Sequence, residues 1–149
     1  MILATSAILQ ALADGAIVCD PPPARIEGAH IDVTIGAYTW LFRTDIDRYG
    51  VDIGRADPAQ QFQRQYHQRH ITIPARSFIL AHTQEAIGTA PGAGLLPVLH
   101  TRSTLARWGL GCHPSAGWGD EGYAARWTLE IINPHLTAIT IPVGARVGC

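Results

Sequence analysis

The sequence predicts a mainly β domain, a β-barrel or jelly roll with a short helix at its N-terminus. Many short apolar segments rich in β-branched and aromatic residues follow one another, and glycine and proline turns separate them. No internal repeat and no domain linker divides the chain. Its 149 residues suffice for one domain with a sizeable core, so we expect a single domain over residues 1–149.

The helix is expected first, from Thr5 to Ala13. The hydroxyl of Thr5 or Ser6 can cap its start, and Gly15 can end it. The stretch CDPPPARIEG that follows has three consecutive prolines, which predict a rigid, non-helical connection. The apolar stripe of the helix is formed by Ile8, Leu9 and Leu12.

Seven β-type segments then build the predicted barrel. The polar stretch RADPAQQFQRQYHQRH, which precedes the third of them, is predicted to be a surface loop or a hairpin excursion. A helical turn, STLARWGL, is inserted among the later strands. The seven segments are HIDVTI, YTWLF, HITI, SFILAHT, LLPVL, WTLEII and TAITI.

Composition argues against several classes of protein. With 47% hydrophobic and 15% charged residues, the chain is neither disordered nor a polar tail. A net charge of -1 argues against a general nucleic-acid binder, because such proteins carry a basic field. All 11 lysine and arginine positions are arginine, which suits phosphate binding but equally reflects genome composition.

The chain is expected to be cytoplasmic and to have no membrane partner. Its three cysteines, Cys19, Cys112 and Cys149, form no CxxC pair, which fits free thiols in a reducing compartment. The N-terminus lacks the charged region of a signal peptide. No apolar run reaches the ~18 residues of a membrane span.

One acidic residue, Glu130, interrupts the apolar segment from Trp127 to Ile132. Side chains alternate along a strand, so Trp127, Leu129 and Ile131 are expected on one face and Glu130 on the other. Glu130 is therefore either an outward-facing carboxylate on a half-exposed sheet or a general acid/base in a partly apolar setting.

The segment TRSTLAR offers hydroxyls and arginines close together. If it is helical, Ser103 and Arg107 share one face at i, i+4, and Arg102 lies at the start, where free backbone N–H groups favour anions. The segment is either a phosphate-binding element or a capped surface turn. It is not a P-loop, because the glycine-rich element and the lysine are absent.

The glycines of SAGWGDEGY allow the backbone to approach a ligand closely. Asp120 can accept a hydrogen bond from a sugar hydroxyl, and Tyr123 can pack against a ring. A glycine-rich turn without a ligand has the same pattern, so both interpretations stay open.

A zinc site is not expected. His67 and His70 lie three residues apart with no acid or cysteine pattern around them. Cys112 and His113 are adjacent rather than spaced as zinc ligands. The HxE and PCxxC signature of the zinc deaminases is also absent.

Taken together, the stretch TRSTLARWGLGCHPSAGWGDEGYAARWTLEIIN resembles the core block of the dCTP deaminase family, which shares a superfamily with the trimeric dUTPases. The match runs ungapped from Arg102 to Glu130 as R-S-[ST]-L-A-R-x-G-L, H-x-[TS]-A, D-x-G-[FWY] and L-E. ARIEGAHIDVTIG, IPARSFILAHTQEAI and ITIPVGARVG resemble further elements of the family.

The resemblance implies a distorted dUTPase-type β-barrel that forms a homotrimer, with nucleotide sites between neighbouring subunits. It implies hydrolysis of dCTP to dUTP and ammonia, with Mg²⁺ carried by the triphosphate and no zinc. In the matching positions, Glu130 moves the protons, while Ser103 and the backbone carbonyl of Ala116 help to place the water.

The same resemblance assigns the nucleotide contacts. Asp120 matches a residue near the 3′-hydroxyl, and Tyr123 matches an aromatic that packs under the deoxyribose and disfavours a 2′-hydroxyl. The phosphate-binding positions are Arg102, Ser103, Thr104 and Arg107.

The chain also departs from the family pattern. Gly119 stands where an aliphatic residue is usual, and His30 replaces a serine before the family's aspartate. The sequence stops at Cys149, where family members continue with a further strand and a tail that closes over the nucleotide. The domain is therefore expected to lack the family's C-terminal lid.

Three functions are compatible with these residues. The first is a dCTP deaminase, with a bifunctional form that yields dUMP and diphosphate. The second is a dUTPase-type pyrophosphatase in which Asp120 acts on the water that attacks the α-phosphate. The third is a non-catalytic nucleotide-binding regulator. Glu130 in its family position favours deamination.

Overall fold

The computed structural model describes residues 2–43, 50–112 and 116–149. It confirms the mainly β architecture with an N-terminal helix. In chain order the elements are α1 (Thr5–Ala13), β1 (Ile17–Asp20), β2 (Ile26–Glu27), β3 (His30–Ile31), β4 (Val33–Thr34), β5 (Tyr38–Phe42), α2 (Pro58–Gln61), β6 (Phe62–Tyr66), β7 (His70–Ile73), β8 (Ser77–Thr89), α3 (Ser103–Ala106), β9 (Gly111–Cys112), β10 (Ala124–Asn133), β11 (Ile139–Pro142) and β12 (Arg146–Gly148).

One large antiparallel sheet organises the described residues. Its strand order is β6-β5-β8-β10-β9, and β1 pairs with the far end of β8. β8 and β10 form its centre, with a register that runs from Ser77 opposite Asn133 to Gly88 opposite Ala124. The remaining strands pair as β11-β7, β12-β4 and β2-β3.

The core lies against the inner face of this sheet. Alternate residues of β8 and β10 join residues of β4, β7, β11 and β12 in one cluster, so two of the small sheets cover the large one. Burying each such aliphatic side chain contributes roughly 1.5–3 kcal/mol. The largest fully buried aliphatic side chains are Ile35, Ile71, Ile73, Leu129, Ile131, Val33 and Val147.

The helix α1 has the predicted bounds, but its predicted cap is wrong. Its N-cap is Ala4, which makes no side-chain cap bond. The hydroxyl of Thr5 instead donates to the carbonyl of Gly28 at 2.7 Å, because a tertiary contact was available to it. Gly15 follows the helix with a φ of 72°, as a C-terminal glycine does.

The predicted strand LLPVL is wrong. Only Val98 forms a bridge there, opposite Trp118. Pro97 has no N–H to donate, so a continuous ladder cannot form at this position. Of the two alternatives for the polar stretch from residue 55 to 70, the hairpin is confirmed for its central part, because β6 pairs with β5 along its whole length. The helical turn α2 precedes β6 within the same stretch.

Candidate functional site

An open cavity of about 240 Å³ lies between the end of β10 and the loop that precedes it. Four of the residues predicted to act on a nucleotide line it together. They come from two separate stretches of the block that the sequence singled out. The lining residues are Ala116, Trp118, Gly119, Asp120, Tyr123, Trp127, Thr128 and Glu130.

Glu130 reaches this cavity because side chains alternate along β10. Trp127, Leu129 and Ile131 are buried, whereas Glu130 is half-buried on the opposite face, as predicted. Its neighbour across the sheet is Leu80 on β8. No described residue hydrogen-bonds its carboxylate or pairs with it. A carboxylate so placed is free to exchange protons with a ligand in the cavity.

The turn from Asp120 to Tyr123 forms the second wall. The N–H of Tyr123 donates to the carbonyl of Asp120 at 3.1 Å, and Gly122 supplies the left-handed φ of 80° that the turn requires. The N–H of Gly122 donates to the hydroxyl of Thr89 at 3.2 Å, which ties the turn to the end of β8. The Asp120 carboxylate and the Tyr123 ring remain exposed at the cavity.

Sequence reasoning missed Trp127, Thr128 and Trp118 as lining residues. The Tyr123 and Trp127 rings meet edge to face, with centroids 5.6 Å apart. An apolar residue at an inward-facing strand position is predicted to belong to the core. The alternation along β10 therefore gave no indication that Trp127 also reaches the cavity. The unusual glycine at position 119 was the available signal, because a missing side chain leaves room for a neighbour.

The predicted phosphate-binding segment forms α3. The N–H of Arg107 donates to the carbonyl of Ser103 at 3.0 Å, which confirms the helical turn and the shared face of these two residues. Ser103, Thr104 and Arg107 are exposed, whereas Leu105 is buried in the core cluster. The polar side of α3 is therefore open to a ligand.

Arg102, the N-cap residue of α3, is arranged differently. Its guanidinium forms an ion pair with Asp32, whose side chain is completely buried. The other Asp32 oxygen, Oδ2, accepts a hydrogen bond from Arg146 at 3.0 Å. Nε2 of His30 lies 3.7 Å from Oδ1, the oxygen that pairs with Arg102. Asp32 thus fixes Arg102 from inside the protein, a role that sequence reasoning did not assign to it.

Within one chain, the two predicted halves of the site do not meet. Leu105 of α3 packs in the same core cluster as Leu129, so α3 lies on the core side of β10. Glu130 points to the opposite face of that strand. Among the described residues, none of those lining the Glu130 cavity belongs to α3.

The described residues offer little for thiol or metal chemistry. Burial raises the pKa of the Cys112 thiol to about 12 and, together with the nearby Glu85 and Asp20, that of Cys19 to about 11. Burial also raises the pKa of Cys149. These thiols therefore stay protonated at neutral pH. Over the described ranges, no three His, Cys, Asp or Glu side chains are grouped to hold a metal ion.

In the part of the chain that the structure describes, no helix is both long and apolar enough to span a bilayer. Residues 113–115, which include the H-x-[TS] part of the family resemblance, lie outside the described ranges.

Comparison with known proteins finds one family. Residues 2–149 match the family model described as dCTP deaminase-like. A protein named "dCTP deaminase, dUMP-forming" from Acidothermus cellulolyticus is 32% identical over 152 residues, which cover 99% of this chain and 77% of that protein. A protein of the same name from Bifidobacterium adolescentis is 29% identical over 154 residues, covering 99% and 76%.

A solved structure supports the fold. The 2′-deoxycytidine 5′-triphosphate deaminase from Agrobacterium tumefaciens superposes with a TM-score of 0.73 at 17% identity. The match covers 99% of this chain but only 46% of that one, so this chain spans a little under half of the solved protein. At this identity the likeness concerns the fold alone.

Proposed function

Because the chain belongs to the dCTP deaminase-like family, we propose that it hydrolyses the exocyclic amine of dCTP and releases dUTP and ammonia. The observation that carries the proposal is Glu130, a half-buried carboxylate without a described partner, in one cavity with Asp120 and Tyr123. General acid/base catalysis needs such a carboxylate within reach of the reacting atoms.

One carboxylate suffices for the whole reaction. Glu130 takes a proton from water as the water oxygen bonds to C4 of cytosine, and this proton passes to ring nitrogen N3. The remaining hydroxyl proton then passes through Glu130 to the amine. The C4–N bond breaks, ammonia leaves and a C4 carbonyl remains, so no net proton is consumed. The carbonyl of Ala116, at the same cavity, would accept a hydrogen bond from the water.

The phosphates would be held by α3. Ser103, Thr104 and Arg107 present hydroxyls and a guanidinium on one exposed surface. Arg102 would act from the fixed position that Asp32 gives it. Remote binding energy of this kind positions the base for attack without entering the chemistry itself.

We propose that each site is completed by a second copy of the chain in a homotrimer. The supporting observation is that α3 lies on the core side of β10 while Glu130 points away from the core. A neighbouring copy can bring its α3 to the Glu130 cavity, together with its Ser103 to place the water.

Mg²⁺ is proposed to arrive with the nucleotide. The described residues contain no cluster of three ligands for a metal, whereas a triphosphate supplies its own oxygens to a hard cation. The protein's part is then to bind the phosphates, and no step above depends on a metal held by side chains.

A second activity is favoured by one observation. The relatives at about 30% identity are named as dUMP-forming, and Asp120 lies in the same cavity as Glu130. We propose that the dUTP product is carried on to dUMP and diphosphate, with the Asp120 carboxylate acting on the water that attacks the α-phosphate.

One assay separates these functions. The protein is incubated with dCTP or with dUTP in the presence of Mg²⁺, and ammonia and diphosphate are measured. Ammonia and diphosphate from dCTP are expected. Ammonia without diphosphate would leave a strict deaminase, and diphosphate from dUTP without any ammonia from dCTP would overturn deamination. Nucleotide binding without either product would indicate a regulator.

A further inference from the structure

The indole of Trp127 forms the wall between the hydrophobic core and the Glu130 cavity. It belongs to the core cluster and is only 6% exposed, yet it also lines the cavity. On the cavity side it meets the Tyr123 ring edge to face. Its position therefore decides where the Tyr123 ring can lie.

A β-bulge places this indole. The register between β10 and β8 shifts between Arg126, which faces Ala86, and Thr128, which faces His82. The single residue Trp127 therefore lies opposite three residues of β8, from Thr83 to Glu85. Its backbone N–H donates to the hydroxyl of Thr83 at 2.9 Å instead of to the ladder. Its ring N–H donates to the carbonyl of Ile87 at 2.9 Å. Bulges re-aim side chains in this way beside functional sites.

Gly119 is the counterpart that makes room for the ring. A Cβ at position 119 would lie 2.6 Å from Trp127 Cη2, 2.7 Å from its Cζ2 and 2.8 Å from Cγ of Pro97. Such contacts are closer than real Cβ atoms tolerate, and the indole cannot retreat because its ring nitrogen is anchored to Ile87. Glycine at 119 and tryptophan at 127 are thus a size-matched pair.

We propose that Trp127, seated against Gly119, is a specificity-determining residue that excludes ribonucleotides from this cavity. The inference rests on the proposed function, because it takes a pyrimidine nucleotide as the ligand. Trp127 fixes the Tyr123 ring and closes the space that a sugar 2′-hydroxyl would need. The only polar atom of the indole is already bonded to Ile87, so this wall offers a buried hydroxyl no partner.

The test measures the preference for deoxyribose directly. Affinities for α,β-imido-dCTP and α,β-imido-CTP with Mg²⁺ are measured by calorimetry in a Glu130→Gln background, where neither ligand turns over. The background protein is expected to prefer the deoxynucleotide by about 10- to 100-fold, the range for one group in an apolar pocket. Trp127→Leu should reduce that preference at least about fivefold by strengthening CTP binding.

Matched variants distinguish an effect of the Trp127–Gly119 pair from a general loss of structure. Trp108→Leu removes an indole that is 67% exposed and outside the cavity, and Gly111→Ala adds a methyl group into open space, so both should keep the preference. Gly119→Ala should weaken binding of both ligands. Adding Trp127→Leu to Gly119→Ala should restore part of the dCTP affinity, because the methyl group then has room.

The outcomes distinguish the inference from the function on which it rests. Unchanged preference in a folded Trp127→Leu variant, with dCTP still bound, would overturn the inference and leave the proposed function standing. Failure of the parent to bind either ligand would overturn both. If Trp127→Leu does not fold, the coupling is measured with Trp127→Phe, and strictly additive effects of Gly119→Ala and Trp127→Phe would count against the pair.

Discussion

At the scale of single residues, the largest effect on activity is expected from a change at Glu130. Replacing Glu130 by Gln keeps the size of the side chain and removes its ability to accept and return a proton. Deamination of dCTP is expected to fall by at least about 100-fold, the usual contribution of a positioned acid/base. Binding of dCTP should change little, because Glu130 has no described partner whose loss would disturb the cavity. Ammonia release and calorimetry measure the two effects.

Glu121 provides the control for this variant. It lies on the same turn as Asp120, outside the cavity lining, and its carboxylate accepts from the N–H of Gly94 at 2.5 Å. Glu121→Gln should therefore keep most of the activity. Normal ammonia release by Glu130→Gln would remove this carboxylate from the mechanism.

The two faces of β10 show how far residue-level prediction reaches. Alternation alone placed Glu130 away from the core, and the structure confirms it. Alternation could not place Trp127 at the cavity. At the bulge, the N–H of Trp127 donates to the hydroxyl of Thr83 instead of to a backbone carbonyl, and Thr83 is 44 residues away in sequence. Alternation also could not single out Asp32, since a buried acid is stabilised by partners distant in sequence.

At the scale of elements, Asp32 joins three parts of the chain. It lies between β3 and β4, pairs with Arg102 at the start of α3 and accepts from Arg146 of β12. Asp32→Asn replaces one carboxylate oxygen by an amide N–H₂ that faces a guanidinium. Breaking a buried pair in this way is expected to cost about 3–5 kcal/mol of unfolding free energy. Urea unfolding measures it.

A surface pair gives the matched comparison. Glu27 and Arg25 approach to 2.5 Å, but both side chains are about half exposed. Glu27→Gln is therefore expected to change stability by less than about 1 kcal/mol. Equal unfolding midpoints for Asp32→Asn and Glu27→Gln would show that Asp32 does not hold these elements together.

Elements were predicted well where local pattern and tertiary context agree. β5 and β7 have the predicted bounds, since both are short runs of β-branched and aromatic residues between turns. The prediction of a strand over LLPVL was wrong because it rested on the apolar character of the segment and ignored that Pro97 has no backbone N–H to donate. β6 is polar at most positions and exposed along much of its length. It forms a strand because it pairs with β5, and no local sequence pattern predicts that pairing.

At the scale of the whole molecule, the short apolar segments between turns were enough to predict the class of fold. The observed strands and the similarity to a solved dCTP deaminase confirm it. The relation between the two halves of the site was not predictable from spacing. Ser103 and Glu130 are 27 residues apart in one block of sequence, which suggests proximity. Only the three-dimensional packing of Leu105 with Leu129 puts them on opposite sides of a strand.

This separation makes a prediction about the assembly that complementation can test. Ser103→Ala and Glu130→Gln are each expected to be nearly inactive alone. In the proposed trimers, formed here by co-expressing the two variants, a site built from Glu130 of one chain and Ser103 of its neighbour can still be intact. If the chains mix at random, about a quarter of the sites carry both native residues, so about a quarter of the parent activity should return. A site contained within one chain would always lack one residue, and the mixture would stay inactive. Mixing the two separately purified variants without subunit exchange controls for residual activity, because it creates no hybrid sites.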